Sequence, residues 1–141
     1  MYEKLLSMLY ALKFGTADVH YWVNGESFWG NHEFADFIRY GEDEDDRLLG
    51  DYIDQINEVC FLGSAQEAPY SKDIISESIS YIPPKITDQT QMFVNLKSLI
   101  FQILSYIEEI IPSASAGEAN LLGNIAQDLQ QRFGLIWRRT K

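Results

Sequence analysis

Apolar residues recur at spacings of three and four over several long stretches of this chain, and that spacing is the repeat of an amphipathic α-helix. The clearest stretch comprises Met92, Leu96, Leu99, Ile103, Ile107 and Ile110. No stretch shows the strict alternation of apolar and polar residues that is typical of a half-buried strand. The pattern therefore predicts an all-α fold, and the 141 residues are enough for one domain spanning 1–141.

Stop signals divide the first half of the chain into two long helices. The first helix carries its apolar residues along one face from Leu5 to Val23 and stops at the turn-forming pair Asn24-Gly25. A second helical pattern starts near Trp29, is interrupted by the acidic run "GEDEDD" at 41–46, and resumes from Leu48 to Val59. The loop "LGSAQEAPYS" ends this half.

The second half predicts one short helix and two long ones. "KDIISESISYI" is a short amphipathic segment that must stop before Pro83-Pro84. The third long helix starts near Asp88 and ends before Pro112, and the fourth follows the capping-box pair Ser115 and Glu118. Four long helices, with a short helix in the crossover between the second and third, predict a four-helix bundle.

Composition narrows the classes of function. The formal net charge of −10 disfavours a general nucleic-acid binder, which needs a basic face, and favours attraction of cations. The single cysteine, Cys60, excludes a disulfide within the chain and is interpreted as a small apolar residue. No apolar run reaches the ~18 residues of a membrane-spanning helix, and "MYEKLLSMLYALKF" does not look like a secretory signal. We therefore expect a cytoplasmic protein that does not bind membranes.

Two histidines and three carboxylates form the candidate site. His20 ends the first helix and His32 begins the second, so the Asn-Gly turn would bring them together. Asp36 follows His32 by one helical turn, and Asp54 and Glu58 repeat that spacing later. Nitrogen and oxygen donors of this kind suit iron, manganese or zinc.

Each of these residues also has a simpler interpretation. Histidine at a helix end often caps the helix or interacts favourably with its dipole, and carboxylates four residues apart are common on solvated helix faces. The neighbouring aromatics are interpreted as packing, either in the bundle or at an interface between subunits. They are Tyr21, Trp22, Phe28 and Trp29.

The stretch "HYWVNGESFWGNHEF" at 20–34 resembles the signature of the Dps family, the miniature ferritins that oxidise and store iron. "DYIDQINEVCFLGS" is similar to the second signature of that family, and "GEANLLGNIAQDLQQRFGLIW" looks like its final helix. The likeness spans nearly the whole chain and is strongest over residues 12–64. It implies a ferritin-like four-helix bundle.

The resemblance also implies an activity and an assembly. The implied activity is a ferroxidase that oxidises ferrous iron with hydrogen peroxide or oxygen and stores the product, an oxidative-stress function. The site would lie across a two-fold interface, with His20, His32 and Asp36 from one subunit and Asp54 and Glu58 from its partner. The family assembles shells of twelve subunits, so a homo-oligomer is expected.

The chain departs from the family pattern in three places. Seven additional residues, centred on "GEDEDD", separate His32 from Asp54. A helical insertion would displace the later carboxylates along the axis, whereas a looped-out one would spare the metal site. Gly41 and the repelling charges favour the loop, which we interpret as a solvated acidic bulge rather than a metal-gathering site. No lysine-rich extension precedes the first helix, and "RRTK" at 138–141 is a small basic end, so DNA binding is expected to be weak or lost. Glu118 is the single candidate acid for the channel through which iron enters the family's shells.

Two alternatives to the ferroxidase stay open. The chain could be a non-catalytic ferritin-like assembly or interaction protein that has kept the bundle and lost its iron chemistry. The same five residues could instead hold zinc or manganese as a structural link between subunits, since such sites discriminate poorly among divalent metals.

Overall fold

The computed structural model describes residues 2–41, 48–60, 72–84 and 88–141. These ranges contain α-helices and one short 3-10 turn and no strand, so the predicted all-α class is confirmed. The helices are α1 (Tyr2–Trp22), α2 (Phe28–Tyr40), α3 (Leu48–Val59), α4 (Lys72–Tyr81), α5 (Gln89–Ile110) and α6 (Ala116–Arg139).

The predicted helix boundaries at turns and caps are confirmed. Helix α1 ends just before Asn24-Gly25, where Gly25 adopts a φ of 78°, a conformation that is cheap only for glycine. The Asp88 side chain accepts hydrogen bonds from two backbone N–H groups in the first turn of α5. Ser115 and Glu118 form the complete capping box that begins α6.

The second helical pattern appears as two helices, α2 and α3. Helix α2 ends at Tyr40, and Gly41 follows it with a φ of 95° while its N–H bonds to the Phe37 carbonyl. Helix α3 resumes the apolar pattern at Leu48, as predicted. The acidic run lies mostly at 42–46, outside the described residues, so the interpretation as a looped-out bulge stays a prediction.

Helix α1 is the centre of the fold. It packs against α2, α3, α4 and α5, while α6 packs against α5 and α3. The sequence predicted one apolar face on α1, but Leu6, Met8 and Ala11 are buried as well as Leu5 and Leu9. A helix surrounded by four others is buried on most of its circumference, which explains the difference.

The short helix α4 is fixed to α1 by a buried polar contact. The Ser7 hydroxyl in α1 donates a hydrogen bond of 2.9 Å to the Ile74 carbonyl in α4. Ile74 is itself buried among the core residues. The predicted amphipathic crossover helix therefore packs on α1 through one buried face.

Candidate metal site at the corner between the first two helices

His20 and His32 meet where α1 turns into α2. The Nδ1 atom of His20 donates a hydrogen bond of 2.9 Å to the His32 carbonyl, and Nδ1 of His32 donates one of 2.7 Å to the His20 carbonyl. Their rings stack with centroids 3.5 Å apart and an interplanar angle of 23°. The predicted proximity of the two histidines is thus confirmed, and each imidazole holds the backbone of the other.

This reciprocal bonding determines which ring nitrogen carries the proton and which could bind a metal ion. A carbonyl oxygen can only accept, so Nδ1 must carry the proton in both rings. In a neutral imidazole the lone pair then lies on Nε2, the arrangement found in many metal-binding histidines.

The interpretation of the histidines as helix caps is partly right, but each histidine bonds to the carbonyl of the other and not to one in its own helix. His20 lies in the last turn of α1, where carbonyl groups lack helical partners. The side chain that satisfies the His20 carbonyl belongs to His32 on the next helix. The two histidines therefore hold the ends of the two helices together. These bonds use only the Nδ1 atoms, so the Nε2 lone pair of each ring can act as a metal ligand.

Asp36 joins this pair but is shared with an arginine. Its Oδ1 atom lies 3.1 Å from Nδ1 of His20 and accepts a hydrogen bond of 2.8 Å from Nη2 of Arg39. The Arg39 guanidinium also lies over the Tyr40 ring, 4.1 Å from its centroid. A metal bound by Asp36 would have to compete with this cation or use the other carboxylate oxygen.

Sequence reasoning missed Arg39, although its spacing from Asp36 was a usable signal. Acidic and basic residues three apart on a helix are neighbours on its surface. The side chain of Arg39 is only 11% exposed, against 34% for Asp36, so this is not a fully solvated ion pair. The contact orients the carboxylate beside His20.

Asp54 and Glu58 belong to a different helix, α3, and are more exposed than the histidine pair. Both are exposed on the same side of α3, one turn apart. Over the described ranges, no group of three or more histidine, cysteine, aspartate or glutamate side chains is placed to hold a metal ion. Within the described chain, His20, His32 and Asp36 lie close together but do not form such a group.

Three aromatic side chains beside the histidines are strongly exposed. Tyr21 is 76% exposed, Trp22 49% and Trp29 70%. The Tyr21 ring meets the His20 ring edge-on at 5.0 Å, and the Trp29 ring meets the His32 ring edge-on at 6.3 Å. Bundle packing is therefore the wrong interpretation for these three residues, whereas interface packing stays a prediction.

Phe28 behaves differently from the other aromatics. It packs against the core and stacks on the His32 ring, with centroids 4.8 Å apart and an interplanar angle of 27°. The His32 imidazole thus lies between the rings of Phe28 and His20. This sandwich leaves the imidazole little freedom to rotate.

Glu118, the candidate acid for an iron channel, is engaged in the capping box of α6. Hydrogen bonds from the Tyr2 hydroxyl and from Ser115 hold the pKa of its carboxyl below the ordinary value of 4.5.

Cys60 is half-buried near Tyr2 and Glu118, and burial raises the pKa of its thiol to about 11. A thiol with that pKa is a poor nucleophile, in line with the apolar role predicted for it.

The lowered pKa of Glu118 predicts a pH-dependent contribution to stability. Because the folded-state pKa lies below the unfolded value, the contribution is complete above about pH 4.5 and is lost as pH falls through the folded pKa. Glu118→Gln should therefore be less stable than the wild type in urea unfolding at about pH 7, and the difference should shrink as the pH is lowered below about 4.5. Glu108→Gln, which removes an exposed charge on α5, is the control. A stability difference that does not change with pH would contradict the assignment.

A scan against protein-family models finds no match to this chain, and a search of curated proteins finds no significant relative. None of the helices described here is both long and apolar enough to cross a membrane.

Proposed function

We propose that the chain is a ferritin-like ferroxidase of the Dps type, which binds ferrous iron as its substrate between two copies of the subunit. His20, His32 and Asp36 would come from one subunit, and Asp54 and Glu58 from its partner. Hydrogen peroxide or oxygen would serve as the oxidant, and the ferric product would be retained by the assembly. The helices would form the ferritin-like bundle, with α2 and α3 acting together as its second long helix.

The stacked histidine pair is the observation that carries the proposal. Both Nδ1 atoms are bonded to carbonyl oxygens, so both Nε2 atoms are suited to accept a cation. Two imidazoles and three carboxylates match the mixed donor set that iron takes in non-haem sites. The net charge of −10 adds long-range attraction for the ferrous ion.

The exposed aromatics favour a site shared between subunits. An incomplete donor set lies next to Tyr21, Trp22 and Trp29, whose rings are exposed in the single chain. Large exposed aromatic surfaces on a folded domain are typical of interaction sites, and aromatic residues are enriched in interface cores. A second copy docked here would cover these rings and supply the missing carboxylates. A two-fold dimer is the minimum, and a closed shell of twelve is the family form.

The ion pair between Arg39 and Asp36 favours a second candidate, a non-catalytic assembly protein. A guanidinium bonded to the carboxylate at 2.8 Å neutralises the charge that a ferrous ion would require. In that case the histidines act only as the polar closure of the corner. Zinc or manganese held by the same residues would be a structural variant of this candidate.

The native mass of the protein, measured together with its bound metal, tests the proposal. The protein is purified without oxygen in the presence of ferrous iron, and its mass and metal content are determined before peroxide is added. We expect an oligomer that carries iron and converts it to the ferric form on addition of peroxide. A metal-free monomer or dimer would contradict the ferroxidase, and an oligomer that retains zinc but does not oxidise iron would support the structural-metal candidate.

A further inference from the structure

A chain of polar side chains links α6, α2 and α5 to the turn between α1 and α2. Nε and Nη2 of Arg139, at the end of α6, donate hydrogen bonds of 3.1 and 2.7 Å to Oδ1 of Asn31 in α2. Nδ2 of Asn31 donates one of 3.0 Å to Oε1 of Gln89, the first residue of α5. Nε2 of Gln89 then donates to the Asn24 carbonyl at 2.8 Å and to Oδ1 of Asn24 at 3.3 Å.

The arginine sets the direction of every bond in this chain. A guanidinium can only donate, so the oxygen of the Asn31 amide must face it and the nitrogen must face Gln89. The Gln89 amide then has its oxygen occupied, and its nitrogen points at the turn. The three side chains therefore act as one oriented unit that ends on a backbone carbonyl.

The absence of a side chain at Gly30 on α2 leaves space for the Arg139 guanidinium. A side-chain carbon added at Gly30 would lie 2.9 Å from Nη2 of Arg139, closer than the arginine could tolerate without moving. The guanidinium also lies over the Phe34 ring, 5.0 Å from its centroid. Gly30 and the Phe34 ring therefore both lie next to the Arg139 guanidinium where it bonds to Asn31.

Two members of this polar chain, Asn31 and Asn24, lie close to the histidines in the sequence. Asn31 is the residue immediately before His32, and Asn24 follows His20 by four residues in the connecting turn. The reciprocal bonds between the histidines require the backbones of the two helices to stay in register to within a few tenths of an ångström. Gln89 of α5 bonds both to Asn31 of α2 and to Asn24 of the turn, so it holds these two segments in a fixed relative position.

We propose that Arg139, Asn31 and Gln89 are positioning residues that keep His20 stacked on His32, so that the C-terminal helix controls the geometry of the corner. The structural part of this inference is independent of the proposed function. Its consequence for iron rests on that function, because only a ferroxidase would convert a displaced imidazole into a lower rate of oxidation. Arg139 thereby has a role distinct from that of the basic end expected from "RRTK".

Nuclear magnetic resonance of the metal-free protein tests the inference directly, because the chain has only two histidines. Stacked imidazoles shift each other's ring-proton signals upfield. We expect Asn31→Ala to move the signals of both histidines toward the positions of unstacked imidazole. Gln89→Ala and Arg139→Ala should shift them in the same direction by a smaller amount. Arg139→Lys should restore part of the Arg139→Ala shift, since a lysine can supply one donor.

Arg139 and Gln89 each have a matched control residue nearby in the sequence. Arg138 is exposed beside Arg139, and Gln91 bonds to Asn95 within α5. Arg138→Ala and Gln91→Ala should leave the histidine signals unchanged. Unchanged histidine signals in a folded Asn31→Ala variant would overturn the inference. If that variant does not fold, Gln89→Ala and Arg139→Ala decide in its place, and native signals in both would overturn it.

Iron oxidation, measured on the same variants, separates this inference from the proposed function. Displaced histidine signals in Asn31→Ala, with a wild type that does not oxidise iron, would support the positioning role and contradict the ferroxidase. An active wild type with unchanged signals and rates in all three variants would support the ferroxidase and overturn the positioning role. Displaced signals together with a lower rate would support both.

Discussion

Replacing both His20 and His32 by alanine is expected to abolish peroxide-driven oxidation of ferrous iron while the helices stay folded. The two imidazoles are the only histidine donors in the chain, so the double variant leaves carboxylates alone at the site. Even the loss of a group that merely orients a metal ligand lowers metal affinity by about 10–100-fold, and the loss of two ligands should exceed that. The rate of ferric iron formation, followed by absorbance after addition of peroxide, is the measurement.

The fold should survive this double substitution. Each histidine contributes one hydrogen bond to a carbonyl, and a typical intramolecular bond contributes about 0.5–1.5 kcal/mol net. The total cost of about 1–3 kcal/mol, with a further loss from the ring stack, is smaller than the ~5–15 kcal/mol of a typical domain. Far-UV circular dichroism should therefore retain its helical signal.

A second double variant separates the loss of ligands from the loss of structure. In His20→Asn with His32→Asn, each side-chain amide can still donate to a carbonyl, but the imidazole Nε2 is gone. We expect this variant to be more stable than the alanine pair and equally inactive. If either double variant oxidised iron at the wild-type rate, the histidines would have no role in the chemistry and the proposed ferroxidase would fail.

Local signals in the sequence predicted the helices well because those signals act locally. Asp88 and Ser115 cap the helices at which they were placed, and the Asn-Gly turn stops α1, since a cap or a turn needs only residues a few positions away. The same reasoning brought His20 and His32 together, because a short turn joins the helices that carry them. The all-α class follows from these elements.

Contacts between distant segments could not be predicted in the same way. The bond between Arg139 and Asn31 joins residues 108 positions apart, and no periodicity encodes which arginine of α6 reaches α2. The exposure of Tyr21, Trp22 and Trp29 likewise depends on how the corner packs as a whole. The sharing of Asp54 and Glu58 between subunits is a property of an assembly, and it stays a prediction drawn from the family resemblance.

Phe93→Ala is expected to cause the largest loss of stability, about 3–5 kcal/mol in the free energy of unfolding. Phe93 on α5 is 2% exposed, and its ring lies 5.3 Å from that of Phe34 on α2. Truncation removes the buried apolar surface and leaves a cavity that the surrounding helices can fill only in part. Urea unfolding of the wild type and the variant, monitored by circular dichroism, gives the difference.

Phe101→Ala is the matched control, because it removes the same side chain from the same helix at a position that is 59% exposed. Phe101 retains an aromatic contact with Phe133, so its loss should cost about 1 kcal/mol. Equal losses for the two variants would contradict the burial of Phe93 and its contact with Phe34. Since Phe34 lies two residues after His32 and under the Arg139 guanidinium, Phe93 supports from the core the same part of α2 that the polar chain holds from outside. Phe93→Ala should therefore also displace the histidine signals at urea concentrations where the protein is still folded, whereas Phe101→Ala should not.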